Sequence, residues 1–269
     1  KPLVSVILTT KNNEKIIQRC LESVRQQSYS HLEIIVIDNF STDRTAEIAR
    51  RYTQKVFLKG PERSAQRNFG VSHAKGHYLL IIDSDMELSP DVIKDCVASF
   101  DRHIALAIPE IFVGDGFWTQ CKILEKSCYR GTSEGVAVRF FRRDTFKELG
   151  GYDEHLTGPE DIDLHKRITR RGSYPFISSP IIHHDGRLTL FSIVKKRYYY
   201  SLTLRRYLRK HPVASKKEFT FFRPVYFCQW KLLLRNPLHF FGMLIMRIFE
   251  GFAVLAALWK TRNERITLD

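Results

Sequence analysis

The sequence predicts an α/β fold built on a parallel, doubly wound sheet, and three observations carry that prediction. Short apolar runs at residues 4–8, 33–37 and 78–82 each end in polar side chains. Segments of helical spacing separate them, as at Ile16, Ile17, Cys20, Leu21 and Val24, which share one helix face. The chain has 269 residues, 43% hydrophobic and 27% charged, enough for one large core, which excludes disorder as its general state. Strands that alternate with helices make a parallel sheet whose ligands bind at the carboxyl ends of the strands.

Residues 4–8 are the first strand and lead into Thr9, Thr10, Lys11, Asn12 and Asn13, followed by the helix just described. Residues 33–37 are a second, buried strand and 38–41 a loop. Asp43 and Glu47 favour a helix over 42–52, because negative charge is stabilised near a helix N-terminus. Residues 55–58 are a short third strand. After Gly60-Pro61 comes a helix through 64–74, then a fully apolar strand at 78–82 that runs into Asp83-Ser84-Asp85. Apolar segments at 104–108 and 136–141 read as added strands, with a helix between 116 and 129. Gly150-Gly151-Tyr152-Asp153 is a turn, and residues 159–170 are a helix with Pro at its first position and carboxylates in its first turn.

In such a sheet the loops after the strands lie along one edge, so Thr10 and Asn12, Asp38 and Asn39, and Asp83 and Asp85 should converge. Two carboxylates spaced as in Asp83-Ser84-Asp85 can reach one cation and its bound diphosphate, and hard oxygen ligands suit Mg2+ or Mn2+. A solvated acidic loop is the plainer alternative. Carboxylates at a helix N-terminus, as in Glu160-Asp161, match the helix dipole, but Asp161 is also a candidate general base for a hydroxyl. His183-His184 follows Ile181-Ile182, and a histidine at a strand end can complete a metal shell begun by Asp85. Adjacent strand residues face opposite ways, so one of the two histidines is the ligand, unless both are surface residues. Arg63 and Arg67 lie four apart on a helix; Arg67-Asn68 faces a nucleotide's phosphates or base, or else belongs to an exposed basic face.

The ordered set of Val4 to Asn12, Asp38-Asn39-Phe40-Ser41, Arg67-Asn68-x-Gly70, Asp83-Ser84-Asp85, Gly150-Gly151-Tyr152-Asp153 and Glu160-Asp161-x-Asp163 resembles the family 2 glycosyltransferases of the GT-A fold. The resemblance covers residues 3–185. It implies a Rossmann-like mixed sheet flanked by helices, and transfer of a sugar from a nucleotide-diphosphate donor with a divalent cation, Mn2+ or Mg2+, and inversion at the anomeric carbon. It also implies a role in polysaccharide biosynthesis. Carried over by residue, it puts Thr10 and Asn12 near the nucleoside and Asp38 or Asn39 at the base edge. Asn39 and Phe40 stand where the family usually has Asp and Gly. Arg67 would approach the base or diphosphate, Asp83 the ribose or metal with Ser84 beside it, and Asp85 the metal. Asp161 matches the general base of inverting members, and Glu160 shapes the acceptor pocket. His183 or His184 matches a metal-site histidine, and Gly151 and Tyr152 line the donor sugar and acceptor.

The charge is uneven. Residues 1–185 hold 26 basic and 25 acidic side chains, whereas 186–269 hold 17 and 4. A catalytic domain over 1–185 followed by a basic, aromatic-rich helical segment over 186–269 is expected, the latter meeting an anionic surface. Lys195-Lys196-Arg197 beside Tyr198-Tyr199-Tyr200 suits either a bilayer surface or single-stranded nucleic acid. Downstream, residues 238–259 are apolar on nearly every side, broken by His239, Arg247 and Glu250, which favours the membrane and makes nucleic acid the weaker partner. Arg247 argues against a span, since a mid-helix arginine costs roughly 2.5–3.5 kcal/mol on insertion. Helices on the cytoplasmic leaflet are expected, with a single span, a partner-protein contact or packing on the catalytic domain as alternatives, and a lipid-linked, polyprenyl-type or glycan acceptor. Five cysteines without metal-ligand spacing, and a start at Lys1-Pro2-Leu3 without signal-peptide pattern, lead to the expectation of a reducing, cytosolic setting. The competing function class is a non-catalytic membrane or nucleic-acid binding protein on a sugar-nucleotide fold. A nucleotidyltransferase would carry a Gly-rich loop after the first strand, and residues 9–13 contain no Gly.

Overall fold

The computed structural model describes residues 1–100, 103–130, 132, 137–212 and 224–263. The chain forms two compact units, one of Lys1–Ile111, Val136–Glu154 and Glu160–His184, the other of Phe112–Gly135, His155–Pro159 and Asp185–Asp269.

In the first unit β1 (Val4–Thr10), β2 (Leu32–Asp38), β3 (Val56–Leu58) and β4 (Tyr78–Asp83) run parallel, linked through α1 (Ile17–Arg25), α2 (Thr45–Arg50) and α3 (Arg63–Ser72). β6 (Ala105–Ala107) and β8 (Val138–Arg142) extend the sheet in the order β3-β2-β1-β4-β8-β6, with β8 antiparallel to both neighbours. The expected parallel core is therefore present, and the two added strands make it a mixed sheet. Residue 136 lies outside the described residues.

Strand residues alternate between two covered faces. Val4, Val6, Leu8, Val36 and Leu80 pack with Cys20, Leu21 and Val24 of α1 and with Val92, Ile93 and Cys96 of α4 (Val92–Ser99). Ile7, Ile35, Ile37, Leu79 and Ile81 pack with Val71 of α3, Phe146 of α6 (Arg143–Glu148) and Leu164 and Ile168 of α7 (Glu160–Thr169). Burial on both sides is why these strands read as unbroken apolar runs. α4 and α6 go unmarked in the sequence, since with 8 and 6 residues each is too short to set a clear period. α2 starts at Thr45 rather than at 42. Asp43 accepts from the backbone N–H of Thr45 at 3.0 Å and of Glu14 at 3.1 Å, a side-chain turn that competes with helix.

A second sheet of three strands has the order β5-β9-β7, from β5 (Met86–Leu88), β7 (Glu110–Gly114) and β9 (Ile181–Gly186). β5 sets Met86 opposite His183. A three-residue strand shows no usable alternation, so this sheet is visible only in three dimensions.

The second unit is helical, with α5 (Phe117–Ser127), α8 (Leu190–Ser201), α9 (Leu204–Lys210), α10 (Pro224–Cys228), α11 (Trp230–Leu234) and α12 (Pro237–Lys260). Its core joins Cys121, Leu124, Ile193, Leu233, Met243 and Met246. α12 has Pro in its first turn, where a missing N–H costs nothing, and packs on α5 and α8. Gly242 permits this approach, because a Cβ there would lie 2.4 Å from the Cys121 sulfur. At 24 residues α12 is long and apolar enough to cross a membrane by length and composition. All five cysteines are free thiols, with Cys228 exposed and the others buried.

Candidate active site

The register of the sheet gathers the polar strand ends of the first unit. Thr10 lies beside Asp38, and Thr9 beside Asp83, so three loops open along one edge. Thr9 Oγ1 donates to Asp83 Oδ1 at 2.9 Å. Asn12, in the left-handed region at φ 49°, donates its backbone N–H to Ser41 Oγ and accepts from the Thr42 N–H, both at 2.8 Å. Asp38 accepts from the Ser41 backbone at 2.9 Å, and Asn39 Nδ2 donates to the Pro61 carbonyl at 2.7 Å. Ser84 Oγ accepts from Asn13 at 2.6 Å. Thus Asn12, Asp38, Asn39 and Ser84 hold the loops in shape, and Asp38 and Asn39 are both buried. Phe40 differs: it is 61% exposed with φ 50°, an uncommon conformation for a bulky side chain.

Arg67 is the centre of the site. It is 1% exposed and so no part of a solvated basic helix face. One amino group donates to Asp161 Oδ1 at 3.0 Å, and the other to both oxygens of Asp83 at 3.2 Å. Glu160 Oε1 is 3.6 Å away, and the ring of Tyr152 lies 5.0 Å from the guanidinium carbon. Arg63 reaches Glu160 Oε1 at 3.3 Å. Burial alone would raise the Asp83 pKa, but Arg67, Arg63 and Arg139 outweigh it and hold the carboxyl well below its usual range. Glu160 is pushed the other way, upward, by burial and by the adjacent Asp161. Burial likewise raises the Tyr152 phenol. Gly151 has φ 65°, and a Cβ there would lie 2.7 Å from Asn68 Oδ1. That same oxygen accepts from the Tyr152 N–H at 2.9 Å, while Asn68 Nδ2 donates to the Tyr152 carbonyl at 2.9 Å. The turn at 150–153 is thereby clamped to α3.

Asp85 faces His183, with Oδ2 at 3.4 Å from Nε2. The other side of the ring is held by Glu110 Oε2, 3.0 Å from Nδ1. Glu110 in turn accepts from Arg139 Nε at 2.7 Å, and Arg139 lies 4.0 Å from Asp83. Burial would lower the His183 pKa, but its bonds to Asp85 and Glu110 raise it to about 9. His184 points away from this set: its Nε2 lies 2.9 Å from Glu87 Oε2 and its Nδ1 lies 3.4 Å from Arg19, while only its backbone N–H meets the Asp85 carbonyl, at 2.8 Å. The two histidines thus face opposite sides of β9, and His183 is the one brought to Asp85.

Three buried oxygens here have no hydrogen-bond partner, namely Thr10 Oγ1, Asp85 Oδ1 and Glu160 Oε2. Buried polar atoms are normally satisfied, so three orphans along one edge mark where a ligand's groups belong. The free Asp85 oxygen and the imidazole nitrogen beside it are a donor pair that fits Mn2+ or Mg2+. Among the described residues no group of three or more His, Cys, Asp and Glu side chains forms a full cage. Glu110 and Arg139 were not apparent from the sequence as site residues. Arg139 interrupts the apolar strand at 138–141, and a charge inside a buried strand was the available signal.

Residues 5–198 match the family described as Glycosyl transferase family 2. The chain belongs to this family. Among curated family 2 relatives, 110 residues are 34% identical to the poly(ribitol-phosphate) beta-N-acetylglucosaminyltransferase TarS of Staphylococcus aureus, a stretch that is 37% of this chain and 19% of TarS. Over 219 residues the chain is 27% identical to the glycosyltransferase AglE of Haloferax volcanii, 73% of this chain and 71% of AglE. The chain therefore spans about a fifth of TarS and more than two thirds of AglE. Among solved structures, the mannosyltransferase PcManGT of Pyrobaculum calidifontis in complex with GDP-Man and Mn2+ matches with a TM-score of 0.66 at 17% identity, covering 97% of this chain and 88% of that one. This likeness is one of fold, and the family 2 chain has the mixed, helix-flanked sheet expected of GT-A proteins.

Proposed function

We propose that this family 2 chain transfers a sugar from a nucleotide-diphosphate donor to an acceptor hydroxyl in one displacement, with inversion at the anomeric carbon. The observation that carries the reading is the pairing of Asp161 with Arg67 beside the orphaned oxygen of Asp85. PcManGT, a protein of similar fold, was solved with GDP-Man and Mn2+, which supports a nucleotide sugar and a divalent cation here as well.

Asp161 is 31% exposed, the most open of the three carboxylates around Arg67, and takes the proton of the acceptor hydroxyl as that oxygen attacks. Arg67 orients it by a charge-assisted bond and ties it to Asp83, so base and donor-side carboxylate share one rigid mount. Thr10, Asn12, Asp38 and Asn39 form the nucleoside edge, with Ser84 beneath it. Gly151, Tyr152 and Glu160 shape the sugar and acceptor side, where the buried Glu160 Oε2 has no hydrogen-bond partner of its own. Asp85 and His183 would hold Mn2+ or Mg2+, with Glu110 orienting the imidazole. When bound, the cation offsets charge on the departing diphosphate.

The acceptor is a lipid-linked, polyprenyl-type sugar or a growing glycan at the cytoplasmic face of a membrane, within polysaccharide biosynthesis. Similarity to the hyaluronan synthase of Pasteurella multocida, 25% identical over 222 residues, supports a glycan acceptor, and the apolar α12 supports the membrane face. The test is transfer of radiolabel from UDP-, GDP- and TDP-sugars with Mn2+ or Mg2+ into extracted membrane lipid, comparing the wild type with Asp161→Asn. Label from one donor that is lost in the variant is expected. Equal labelling by both proteins overturns the assignment of the base.

A further inference from the structure

α12 has two apolar faces with different fates. Gly242, Met243, Met246, Glu250, Ala253 and Ala257 are buried on α5 and α8. Leu238, Phe241, Ile245, Ile248, Phe252, Leu255 and Trp259 recur every three or four residues on the other side and are 44–67% exposed. α10 and α11 add Phe227 at 69% and Trp230 at 54%. An apolar patch this large is an interaction surface rather than ordinary solvent-exposed surface.

The inner face is pinned by charge. Lys122 of α5 bonds Glu125 at 2.7 Å and Glu250 at 3.0 Å, Arg197 of α8 reaches Glu250 at 3.4 Å, and Arg247 bonds Glu125 at 3.2 Å. These pairs tie the middle of α12 to two other helices. A span would carry Arg247 and Glu250 to the bilayer centre and strip them of their partners on α5 and α8, a double penalty.

Charge also identifies the partner of the outer face. Between residues 224 and 263 the only acidic side chain is Glu250, which is buried, whereas Lys231, Arg235, Lys260 and Arg262 are exposed. Two of these cations sit on the tryptophans near either end of the face: Lys231 Nζ is 5.7 Å from the ring of Trp230, and the Arg262 guanidinium is 5.1 Å from that of Trp259. Tryptophan paired with a cation is suited to the lipid headgroup layer. Between α10, α11 and α12 lies a cavity of about 230 Å³, lined by Phe227, Trp230, Leu234, Phe240, Met243 and Leu244. It is wide enough for part of an acyl chain and has almost no polar lining.

We infer that α10 to α12 form a monotopic anchor: the outer face of α12 lies flat in one anionic phospholipid leaflet, a lipid acyl chain enters the cavity, and the inner face stays in protein. This rests on the membrane-face reading above and fixes how that face is met, roughly 5–10 Å deep rather than across.

The test uses the full chain with Cys228→Ser and a single nitroxide at Leu238→Cys, Ile248→Cys or Leu255→Cys. It is mixed with phosphatidylcholine vesicles containing about 30% phosphatidylglycerol, where anionic lipid should draw the cationic rim. Flotation with the vesicles, and oxygen and nickel accessibilities that place all three labels at one shallow depth, are expected. A label at 248 far deeper than the other two means a span and overturns this inference while the membrane-face reading stands. No flotation, with or without binding to single-stranded DNA or self-association, overturns both. In a second arm, combined Phe241→Ser, Phe252→Ser and Leu255→Ser should cut vesicle partition about tenfold or more. An unchanged melting curve and unchanged donor binding confirm that the fold is intact, and unchanged partition overturns the inference.

Discussion

Arg67 donates to Asp161 at 3.0 Å from a position with 1% exposure, so the carboxylate proposed as base is held by a guanidinium with almost no contact with water. The same side chain bonds Asp83, and breaking a buried pair from one side strands the other charge. Arg67→Met should therefore destabilise the first unit by about 3–5 kcal/mol, read by thermal or denaturant melting. Arg67→Lys keeps the charge but loses the fork that serves two carboxylates. It should melt closer to the wild type and still transfer sugar at least about 100-fold more slowly. A lysine variant with near-normal turnover would remove orientation as the role of Arg67.

Asp161→Asn keeps the shape of the side chain and removes its basicity. Turnover should fall about 10²–10⁴-fold, with donor affinity by calorimetry within a factor of about two. Loss of donor binding to the same degree as turnover would move Asp161 from the acceptor's proton to the donor.

Glu110 meets the proposed metal pair through His183, whose Nδ1 lies 3.0 Å from it. Such outer partners of metal-binding histidines fix ring orientation, and losing one costs about 10–100-fold in metal affinity. Glu110→Gln should lower Mn2+-dependent nucleotide affinity by that factor and leave metal-free nucleotide binding unchanged. Equal loss with and without Mn2+ would mean a general collapse of the site.

The second unit should be acid-sensitive through Glu125. Burial opposes its ionisation, but Lys122 and Arg247 prevail and hold its pKa at about 2, well below the usual carboxylate range. A carboxyl depressed on folding adds stability that is complete above its unfolded pKa and is lost as pH falls toward the folded one. Melting of the wild type should therefore weaken between about pH 4.5 and 2, and Glu125→Gln should flatten that slope while lowering stability at neutral pH. An identical slope in the variant would assign the acid response to another carboxylate.

Much of the first unit was legible in the sequence because its strands are buried on both faces and its helices recur at a regular period. The four parallel strands and α1, α3 and α7 fall within a few residues of expectation. The second sheet was not, since β5 is three residues long and its pairing with β9 spans some 97 positions of chain, as His184 and Glu87 do. Separation along the chain also hid Glu110, whose partners Arg139 and His183 are 29 and 73 residues away. The motif residues could be named one by one, yet no spacing in the sequence tells that Arg67 joins Asp83 to Asp161.

Local order and composition settled the fold class, the family 2 resemblance, the polar loops at the strand ends and the positive, apolar character of the C-terminal part. Those properties follow from period, propensity and residue type, which act over a few residues. Which histidine meets Asp85, which carboxylates share one arginine, and which face of α12 is left open were decided only by packing. They depend on contacts between segments far apart in sequence, where burial removes water and leaves each charge to be met by whatever the fold brings beside it.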